Sequence, residues 1–446
     1  MKFNELRTNY PTFIYKDYQL ETIDNTLRIS FTFEISNLTT FNPYIEIPLN
    51  NITININDPY IKYLSFHIGL IEMISYFKTT CSPKIIIEAD YINEEQIKWF
   101  KKLIYYGLGE FLYTNNISVS EEELTTIECT KPQITLPTIN YEGTGNLIPI
   151  GGGKDSCVSL ELLKDYKDNN HCFIINPKEV TLACAKQAGY EDNKIIGLKR
   201  VLDKKVIELN EKGFLNGHTP FSSLVAFISY LTAYIYKKQY ITLSNEASAN
   251  EPTIPGTKIN HQYSKTYEFE QDFNNYMNTY FNLNIKYFSL LRPLTEFQIG
   301  MLFSKYEKYH NIFKSCNIGS KSTPWKWCGN CPKCLFVYII LSPFLYKEKL
   351  VNIFGKDLFE DESLKETLLE LSGNKEVKPF ECVGTIGEVR YALSRTINKT
   401  NNLPKLLQYY KDNYPLSLNT EYESLYNEEN NLPKEYQELI KKELSQ

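Results

Sequence analysis

The sequence predicts an α/β protein in which a parallel sheet carries helices on both faces, preceded by an α+β N-terminal domain and followed by a helical C-terminal region. Three observations support this prediction. A segment near the N-terminus alternates strictly between apolar and polar residues, the middle of the chain alternates short apolar runs with helix-length segments, and the C-terminal part is polar with helical periodicity. We therefore expect three domains, at residues 1–140, 141–345 and 346–446.

The N-terminal part begins with a half-buried strand. Residues 26–35 (TLRISFTFEI) have apolar side chains at every second position, which is the period of a strand with one buried face. The alternating isoleucines of residues 52–56 predict another strand. Asp58 followed by Pro59 is typical of a helix N-cap and first turn, so we expect a helix through about Lys78. No catalytic set of residues is evident in this part, and we expect it to be a cap or a substrate-shaping domain.

The middle part predicts a parallel sheet. Its short apolar runs are separated by segments long enough for helices, and strands of a sheet that is buried on both faces are continuously apolar. The runs are LIPI at 147–150, CFII at 172–175, KIIGL at 194–198, YITL at 240–243 and IKYFSL at 285–290. Such sheets bind ligands beyond the carboxyl ends of their strands. We therefore expect the functional site there.

The composition of the chain limits the classes of protein to which it can belong. The chain has 446 residues, 42% of them hydrophobic, and a net charge of −5, so it can bury a large core and lacks the basic character of a dedicated nucleic-acid-binding protein. Its first twenty residues contain no apolar run of signal-peptide length. The longest apolar stretch, residues 224–236, is shorter than the roughly 18 residues that cross a bilayer. We expect a cytoplasmic protein with neither a membrane nor a nucleic-acid partner, and its oligomeric state stays open.

The most specific feature is a glycine loop between an apolar strand and a helix. Residues 151–156 have the sequence GGGKDS. Glycines let the backbone approach an anion closely, and the free amides at a helix N-terminus bind phosphate oxygens. The loop is not a Walker loop, because Asp155 follows the lysine and Ile148 occupies the position of the earlier glycine. The predicted ligand is a phosphate group.

Four cysteines in one segment predict a metal site. Cys328, Cys331 and Cys334 form a CxxCxxC run, and eleven residues separate this run from Cys316. Four thiolates complete the tetrahedral coordination of zinc and leave no open position, so the metal would be structural. An iron–sulfur cluster uses similar ligands and remains an alternative. We expect these four thiolates to bind structural Zn²⁺, and we call Cys316, Cys328, Cys331 and Cys334 together the cysteine knot.

The glycine loop resembles the SGGxDS pyrophosphate loop of the PP-loop ATPases, with Gly151 in place of the leading serine. Together with the cysteine knot and further stretches, it makes residues 140–395 similar to the MurL family of UDP-N-acetylmuramoyl-L-alanyl-L-glutamate epimerases. These stretches are LNGHTPFSS (215–223), SNEASAN (244–250), NHQYSKTYEFE (260–270), SLLRPLTEFQIG (289–300) and FECVGTIGEVR (380–390). The resemblance implies a PP-loop (HUP-like) core for the parallel sheet.

The resemblance also implies a reaction. The terminal L-Glu of a UDP-muramyl dipeptide would be inverted to D-Glu after adenylation of its carboxylate, with ATP, Mg²⁺ and release of AMP and pyrophosphate, in peptidoglycan synthesis. The pyrophosphate part of ATP would lie on the glycine loop, with Asp155 reaching Mg²⁺. The loop residues implied in this binding are Gly151, Gly152, Gly153, Lys154, Asp155 and Ser156.

Inversion at an α-carbon needs acid/base groups that work near neutral pH. The titratable residues of the motifs above that we expect in this role are His218, Glu246, His261 and Lys265. Cys157 and Cys184 could also serve as bases, but both fall in apolar helical patterns that are typical of a core. Residues suited to the phosphates or carboxylate of the substrate are Asn250, Asn260, Ser264, Lys265 and Arg292.

Two other functions fit the same motifs. The first is a different adenylating PP-loop enzyme that modifies tRNA or makes a deazaguanine, although the acidic balance of the chain argues against an RNA-binding surface. The second is a non-catalytic, nucleotide-binding zinc protein. Substitution of the leading serine of the loop by Gly151 is the feature that suggests this alternative.

Overall fold

The computed structural model describes residues 2–416 and 420–445, apart from residues 323 and 325. In this part of the chain eleven strands form one sheet, with α-helices packed around it. The strands are β1 (Thr12–Ile23), β2 (Thr26–Ile35), β3 (Thr39–Phe41), β4 (Tyr44–Pro48), β5 (Lys84–Ile87), β6 (Thr126–Cys129), β7 (Asn146–Pro149), β8 (His171–Ile175), β9 (Ile195–Val201), β10 (Tyr240–Leu243) and β11 (Lys286–Ser289).

The helices are α1 (Phe3–Asn9), α2 (Pro59–Glu72), α3 (Ile74–Phe77), α4 (Glu94–Gly107), α5 (Gly109–Thr114), α6 (Glu121–Leu124), α7 (Lys154–Leu162), α8 (Glu179–Gln187), α9 (Lys205–Glu211), α10 (Phe221–Ile235), α11 (Tyr267–Tyr280), α12 (Glu296–Lys305), α13 (Pro332–Leu341), α14 (Lys347–Phe354), α15 (Lys365–Leu371), α16 (Ile386–Lys399), α17 (Lys405–Asn413) and α18 (Lys434–Leu444). The prediction of a mixed α/β protein is confirmed.

The five apolar runs of the middle part form the parallel half of the sheet. Their strands lie in the order β11-β10-β7-β8-β9, and each neighbouring pair is parallel. The chain leaves β7 toward β8 on one side, and later crosses to β10 on the other side. The order therefore reverses between β7 and β10, and ligands bind at such reversals, outside the carboxyl ends of the strands.

Both faces of the parallel half are buried. Neighbouring residues of β7, Leu147 and Ile148, belong to two separate hydrophobic clusters, and so do Tyr287 and Phe288 of β11. Because successive side chains of a strand point to opposite faces, helices cover both sides of the sheet. Helix α10 contributes to the cluster on one side, and α7 and α13 contribute to the cluster on the other.

The N-terminal half of the sheet is mixed. Strand β2 has the predicted bounds and buries every second residue, and Asp58 caps α2 by accepting from the backbone amides of Tyr60 (2.8 Å) and Ile61 (3.1 Å). The strand predicted over residues 52–56 is wrong. These isoleucines are half-buried against the core but have no strand partner. Alternating apolar residues indicate that one face of a segment is packed, and they do not show that its backbone is hydrogen-bonded to another strand.

Several contacts join the N-terminal half to the parallel half, and two of them involve β9. Strand β4 pairs antiparallel with β9, and the Arg200 guanidinium binds the buried Glu72 carboxylate, with an Nε–Oε2 distance of 2.8 Å. The sheet is thus continuous across residue 140, and the domain boundaries proposed from the sequence stay a prediction.

The C-terminal part is helical as expected, and α18 returns to the sheet, where the Tyr436 hydroxyl donates to the Asn146 side-chain oxygen at 2.9 Å. None of the helices in the described ranges is both long and apolar enough to cross a membrane.

Candidate active site

A cavity of about 460 Å³ opens where the order of the parallel strands reverses. This size is within the range of small-molecule sites. Its walls come from the glycine loop after β7, the segment after β10, the loops around the cysteine knot and the segment before α16. The polar residues in its lining include Asp155, Ser156, Lys178, Ser244, Asn245, Glu246, Lys265, Lys333, Glu381 and Cys382, with Gly151 and Gly153 beside them. The cavity lies beyond the carboxyl ends of the strands, where the sequence predicts the functional site, and that assignment stays a prediction.

The glycine loop turns sharply and leads into α7. Gly152 has a φ of +84°, which is the left-handed region that glycine adopts without strain, and a Cβ there would lie 3.1 Å from Val180 Cγ1. Gly153 precedes α7 with no side-chain cap. The Gly151 amide donates to the Ser156 hydroxyl at 3.0 Å. The N-terminus of α7 therefore has no side-chain cap beside the cavity, and backbone amides at such helix N-termini bind anions.

Lys154 differs from its neighbours because its side chain does not line the cavity. Its ammonium group is buried and ion-paired with the carboxylates of Asp155 and Glu296. Burial alone would lower the pKa of Lys154, but these two carboxylates raise it above its ordinary value. Burial would likewise raise the pKa of Asp155, which Lys154 and Lys333 lower. Asp155 is therefore an ionised carboxylate at the edge of the cavity.

The segment that follows β10 brings a second carboxylate to the cavity. Glu246 is buried and lines it. The fully buried Arg292 supports this segment from behind, with Nη1 donating to the Glu246 carbonyl at 2.8 Å and Nη2 bonding the Lys265 carbonyl at 2.5 Å. Arg292 thus positions the backbone of two cavity residues. It does not line the cavity itself, although the sequence suggested a substrate contact.

The two predicted histidines lie together behind the cavity wall. His218 and His261 have ring centroids 4.4 Å apart, and both face Glu110 of α5. Nδ1 of His261 bonds the Glu110 carboxylate, and Nδ1 of His218 lies 3.6 Å from it. Neither histidine lines the cavity. The predicted candidates are therefore divided, with Glu246 and Lys265 in the cavity and the histidines outside it.

Cys382 connects this histidine pair to the cavity. Its thiol lies 3.2 Å from the Lys265 ammonium and within hydrogen-bond reach of the His261 ring. Burial would lower the pKa of His261, but Cys382 and Glu110 raise it to about 9. Burial and the neighbouring His261 lower the pKa of His218 to about 4. The pair therefore holds one charged and one neutral imidazole at neutral pH.

Sequence analysis missed Glu110, Lys333 and Cys382. Glu110 belongs to the N-terminal part, which we expected to carry no chemistry, and it reaches the site only through the fold. Cys382 stands within the FECVG stretch, in a polar, glycine-containing segment without a helical apolar pattern. That context distinguishes it from Cys157 and Cys184, which are buried in the core as predicted.

The cysteine knot forms beside the cavity. Sγ–Sγ distances are 3.7 Å for Cys316–Cys331, 3.7 Å for Cys328–Cys334 and 3.5 Å for Cys331–Cys334. A tetrahedral zinc with Zn–S bonds of about 2.3 Å has S–S edges of about 3.8 Å. The Gly319 amide also donates to Cys316 Sγ at 3.1 Å, as expected for a metal-bound thiolate. The four sulfurs thus form a possible metal site that is compatible with structural zinc.

The comparisons with known proteins all indicate the same family. Residues 4–290 match the model of the MurL N-terminal domain, and residues 312–418 match that of the MurL C-terminal domain. A protein of Xanthomonas oryzae pv. oryzae named UDP-N-acetyl-alpha-D-muramoyl-L-alanyl-L-glutamate epimerase is 36% identical over 334 residues, which cover 73% of this chain and 72% of that protein. Proteins of the same name from Micromonospora sp. (34% identical, 72% of each chain) and Salinispora tropica (33% identical, 73% of this chain and 71% of the other) are also similar.

Proposed function

Because this chain belongs to the MurL family, we propose that it is an ATP-dependent epimerase of peptidoglycan precursor synthesis. Its substrate would be UDP-N-acetylmuramoyl-L-alanyl-L-glutamate, whose terminal L-Glu is inverted to D-Glu. One observation carries the proposal beyond family membership. The glycine loop, which leads into a helix N-terminus without a side-chain cap, and three titratable residues, Glu246, Lys265 and Cys382, line the same cavity.

The need for ATP follows from the charge of the substrate. A free α-carboxylate opposes removal of the neighbouring proton, since a second negative charge would form beside the first. In the proposed reaction an oxygen of this carboxylate attacks the α-phosphorus of ATP, and pyrophosphate leaves. The resulting acyl adenylate is more acidic at its α-carbon. One group removes the α-proton, a second returns a proton on the opposite face, and water then releases AMP and the D-product.

The residues of the glycine loop suit the binding of ATP in three ways. The loop amides and the Ser156 hydroxyl would hold the leaving pyrophosphate. Asp155 would hold Mg²⁺, which would neutralise charge on the phosphates. Lys154 would act indirectly, because its ammonium is buried between Asp155 and Glu296 and can fix the position of Asp155.

The proton transfers are assigned from the position of each candidate. Burial would lower the pKa of Lys265, but Cys382 and Glu246 raise it, so Lys265 stays cationic and would stabilise negative charge on the activated carboxyl group. Glu246 lines the cavity and would exchange a proton with the substrate. His218 and His261 would act through the residues in front of them.

The remaining parts of the proposal concern metal, partners and location. Cys316, Cys328, Cys331 and Cys334 would hold one structural Zn²⁺ that fixes the loops beside the cavity. The partner would be the small UDP-muramyl dipeptide alone, and the reaction would take place in the cytoplasm. The basic side chains in the lining, Lys178, Lys265 and Lys333, suit a substrate that carries a diphosphate and carboxylates.

An exchange assay tests the adenylation and separates the alternatives. Purified protein would be incubated with ATP, Mg²⁺, radiolabelled pyrophosphate and one candidate acceptor at a time. We expect label to enter ATP only with the L-Ala-L-Glu precursor, because formation of the acyl adenylate is reversible. Exchange driven instead by a tRNA or a deazaguanine precursor would contradict the proposal. ATP binding without exchange for any acceptor would favour the non-catalytic zinc protein.

A further inference from the structure

Cys382 is the only member of the cluster formed with His261, His218 and Glu110 that lines the cavity, as judged over the part of the chain that the structure describes. Its side chain is half-buried. Glu110 holds the His261 ring by a hydrogen bond, and Cys382, which interacts with the same ring, also lines the cavity. Cys382 is therefore the member of this cluster that a substrate bound in the cavity would meet.

The charges around Cys382 favour a thiolate. The Lys265 ammonium is 3.2 Å from the sulfur, and the Lys333 ammonium bonds the Cys382 carbonyl. Enclosure alone would raise the pKa of the thiol, but Lys265, His261 and Lys333 lower it to about 6. Other titratable groups of this region are Asp155 and Glu246 near Lys265, Glu381 beside Cys382, Lys178 in the cavity lining, and Glu110 and His218 beside His261.

We propose that Cys382 is a catalytic residue that exchanges the α-proton of the activated glutamyl group on one face. This inference rests on the proposed function. The α C–H bond breaks as the S–H bond forms, and the electron pair of the C–H bond moves into the adenylated carboxyl group. A proton from a second cavity group, for which Glu246 is the candidate, completes the inverted C–H bond. Exchange with solvent then restores the thiolate and the second acid.

Within this assignment Glu110 and His261 are positioning residues. The positive charge of His261 favours the thiolate form of Cys382, and the His261 ring is itself held by the Glu110 carboxylate. Lys265 stabilises the thiolate from the cavity side. The arrangement is that of a nucleophile or base oriented by a second and a third group, although here the sulfur takes a proton and forms no bond to carbon.

The first test separates adenylation from proton transfer. We expect Cys382→Ala and Cys382→Ser to keep ATP–pyrophosphate exchange with the L-Ala-L-Glu precursor within a few-fold of the unmodified protein. Both variants should lose at least about 100-fold in α-deuterium incorporation from heavy water, which is the lower range for loss of a general acid or base. Cys129→Ser is the matched control, because Cys129 is also half-buried and its thiol bonds the Asp90 carbonyl outside the cavity.

The outcomes distinguish the two proposals. If the unmodified protein shows no precursor-dependent exchange, the proposed function fails. If it shows exchange and deuteration but Cys382→Ala deuterates equally fast, only the assignment of Cys382 fails. An acid-stable acyl adduct on Cys382 would also overturn the assignment, because the sulfur would then be a nucleophile.

Alkylation provides a readout that does not depend on activity. Iodoacetamide labelling of Cys382, followed by mass spectrometry of its peptide, should rise with pH about a midpoint near 6. Lys265→Met should move this midpoint toward the ordinary value of about 8.5, because it removes the cation that lies 3.2 Å from the sulfur. A midpoint near 8.5 in the unmodified protein, or one unmoved by Lys265→Met, would contradict the thiolate.

Discussion

Lys154, at the first position of α7, is ion-paired with Glu296, at the first position of α12, and each side chain is only 1% exposed. The pair connects the glycine loop to a helix more than a hundred residues further along the chain. Because Lys154 also bonds Asp155, the position of the Asp155 carboxylate depends on Glu296. The geometry of the glycine loop is thus set partly from outside the loop.

Glu296→Gln should destabilise the protein and weaken the loop. Burial raises the pKa of Glu296 to about 8, so its carboxyl group is fully ionised only above that pH. Above it, removing one partner of the buried ion pair leaves the Lys154 charge with Asp155 alone, and we expect a loss of about 3 kcal/mol, the lower end for such pairs. Urea unfolding measures this loss. The double variant Lys154→Met/Glu296→Gln removes both charges and should lose less than Glu296→Gln alone. Equal stability of Glu296→Gln and the unmodified protein would contradict a structural role for the pair.

Gly152→Ala should impair the loop, whereas Gly151→Ala should not. Alanine at Gly152 would have to adopt a φ of +84°, at a cost of about 1–2 kcal/mol, with its Cβ 3.1 Å from Val180. At Gly151 the nearest atom to a Cβ is Ser156 Oγ at 3.9 Å. Nucleotide affinity, measured by calorimetry with a nonhydrolysable ATP analogue, should fall only for Gly152→Ala. Equal affinities of the two variants would argue against this backbone conformation.

The cysteine knot should bind one zinc per chain. We expect elemental analysis to find about one equivalent of zinc, and a strong chelator to lower the thermal unfolding temperature by several degrees. Cys328→Ser should lose the metal and show the same lower temperature, while Cys81→Ser, at a buried thiol outside the knot, should keep it. Iron and labile sulfide in place of zinc would identify the cluster as iron–sulfur.

His67 should make the fold sensitive to acid. It is fully buried, with Nδ1 2.7 Å from the Tyr63 carbonyl and Nε2 2.7 Å from the Tyr276 hydroxyl, and burial lowers its pKa to about 3. Between pH 6.5 and 3 the unfolded chain therefore binds a proton that the folded chain does not, so stability falls as pH falls. The loss at pH 5 relative to neutral pH is about 2 kcal/mol.

Replacing this imidazole isolates its contribution. His67→Gln should be less stable than the unmodified protein at pH 7, because it loses one of two hydrogen bonds, but should lose about 2 kcal/mol less on acidification to pH 5. Urea unfolding at the two pH values measures both effects. Parallel pH dependence of the two proteins would show that His67 is not the acid-sensitive group.

Much of the fold follows from periodicity in the sequence. The alternation of residues 26–35 and the continuous apolar runs each identify a strand, because burial on one or two faces leaves a direct pattern. The isoleucines of residues 52–56 show the limit of this argument, since burial of side chains does not by itself mean that the backbone pairs with another strand. Tyr436 shows another limit. Its contact with Asn146 joins residues 290 positions apart, and nothing in the local pattern specifies that partner.

The candidate site is only partly visible in the sequence for the same reason. The glycine loop and the cysteine knot are local motifs, because consecutive residues form them. Glu110 and Cys382 interact with His261 although the three residues are far apart in the chain. A sequence pattern does not encode this proximity. The sequence therefore predicts the histidines as titratable candidates, but not their position beside a thiol.

The most direct test of the account is isotope incorporation during turnover. The purified protein would be incubated with ATP, Mg²⁺ and UDP-N-acetylmuramoyl-L-alanyl-L-glutamate in heavy water, and the glutamyl residue analysed for configuration and mass. We predict D-Glu with one deuterium at the α-carbon, together with AMP and pyrophosphate. Unchanged L-Glu with intact ATP, or D-Glu formed equally fast without ATP, would contradict it.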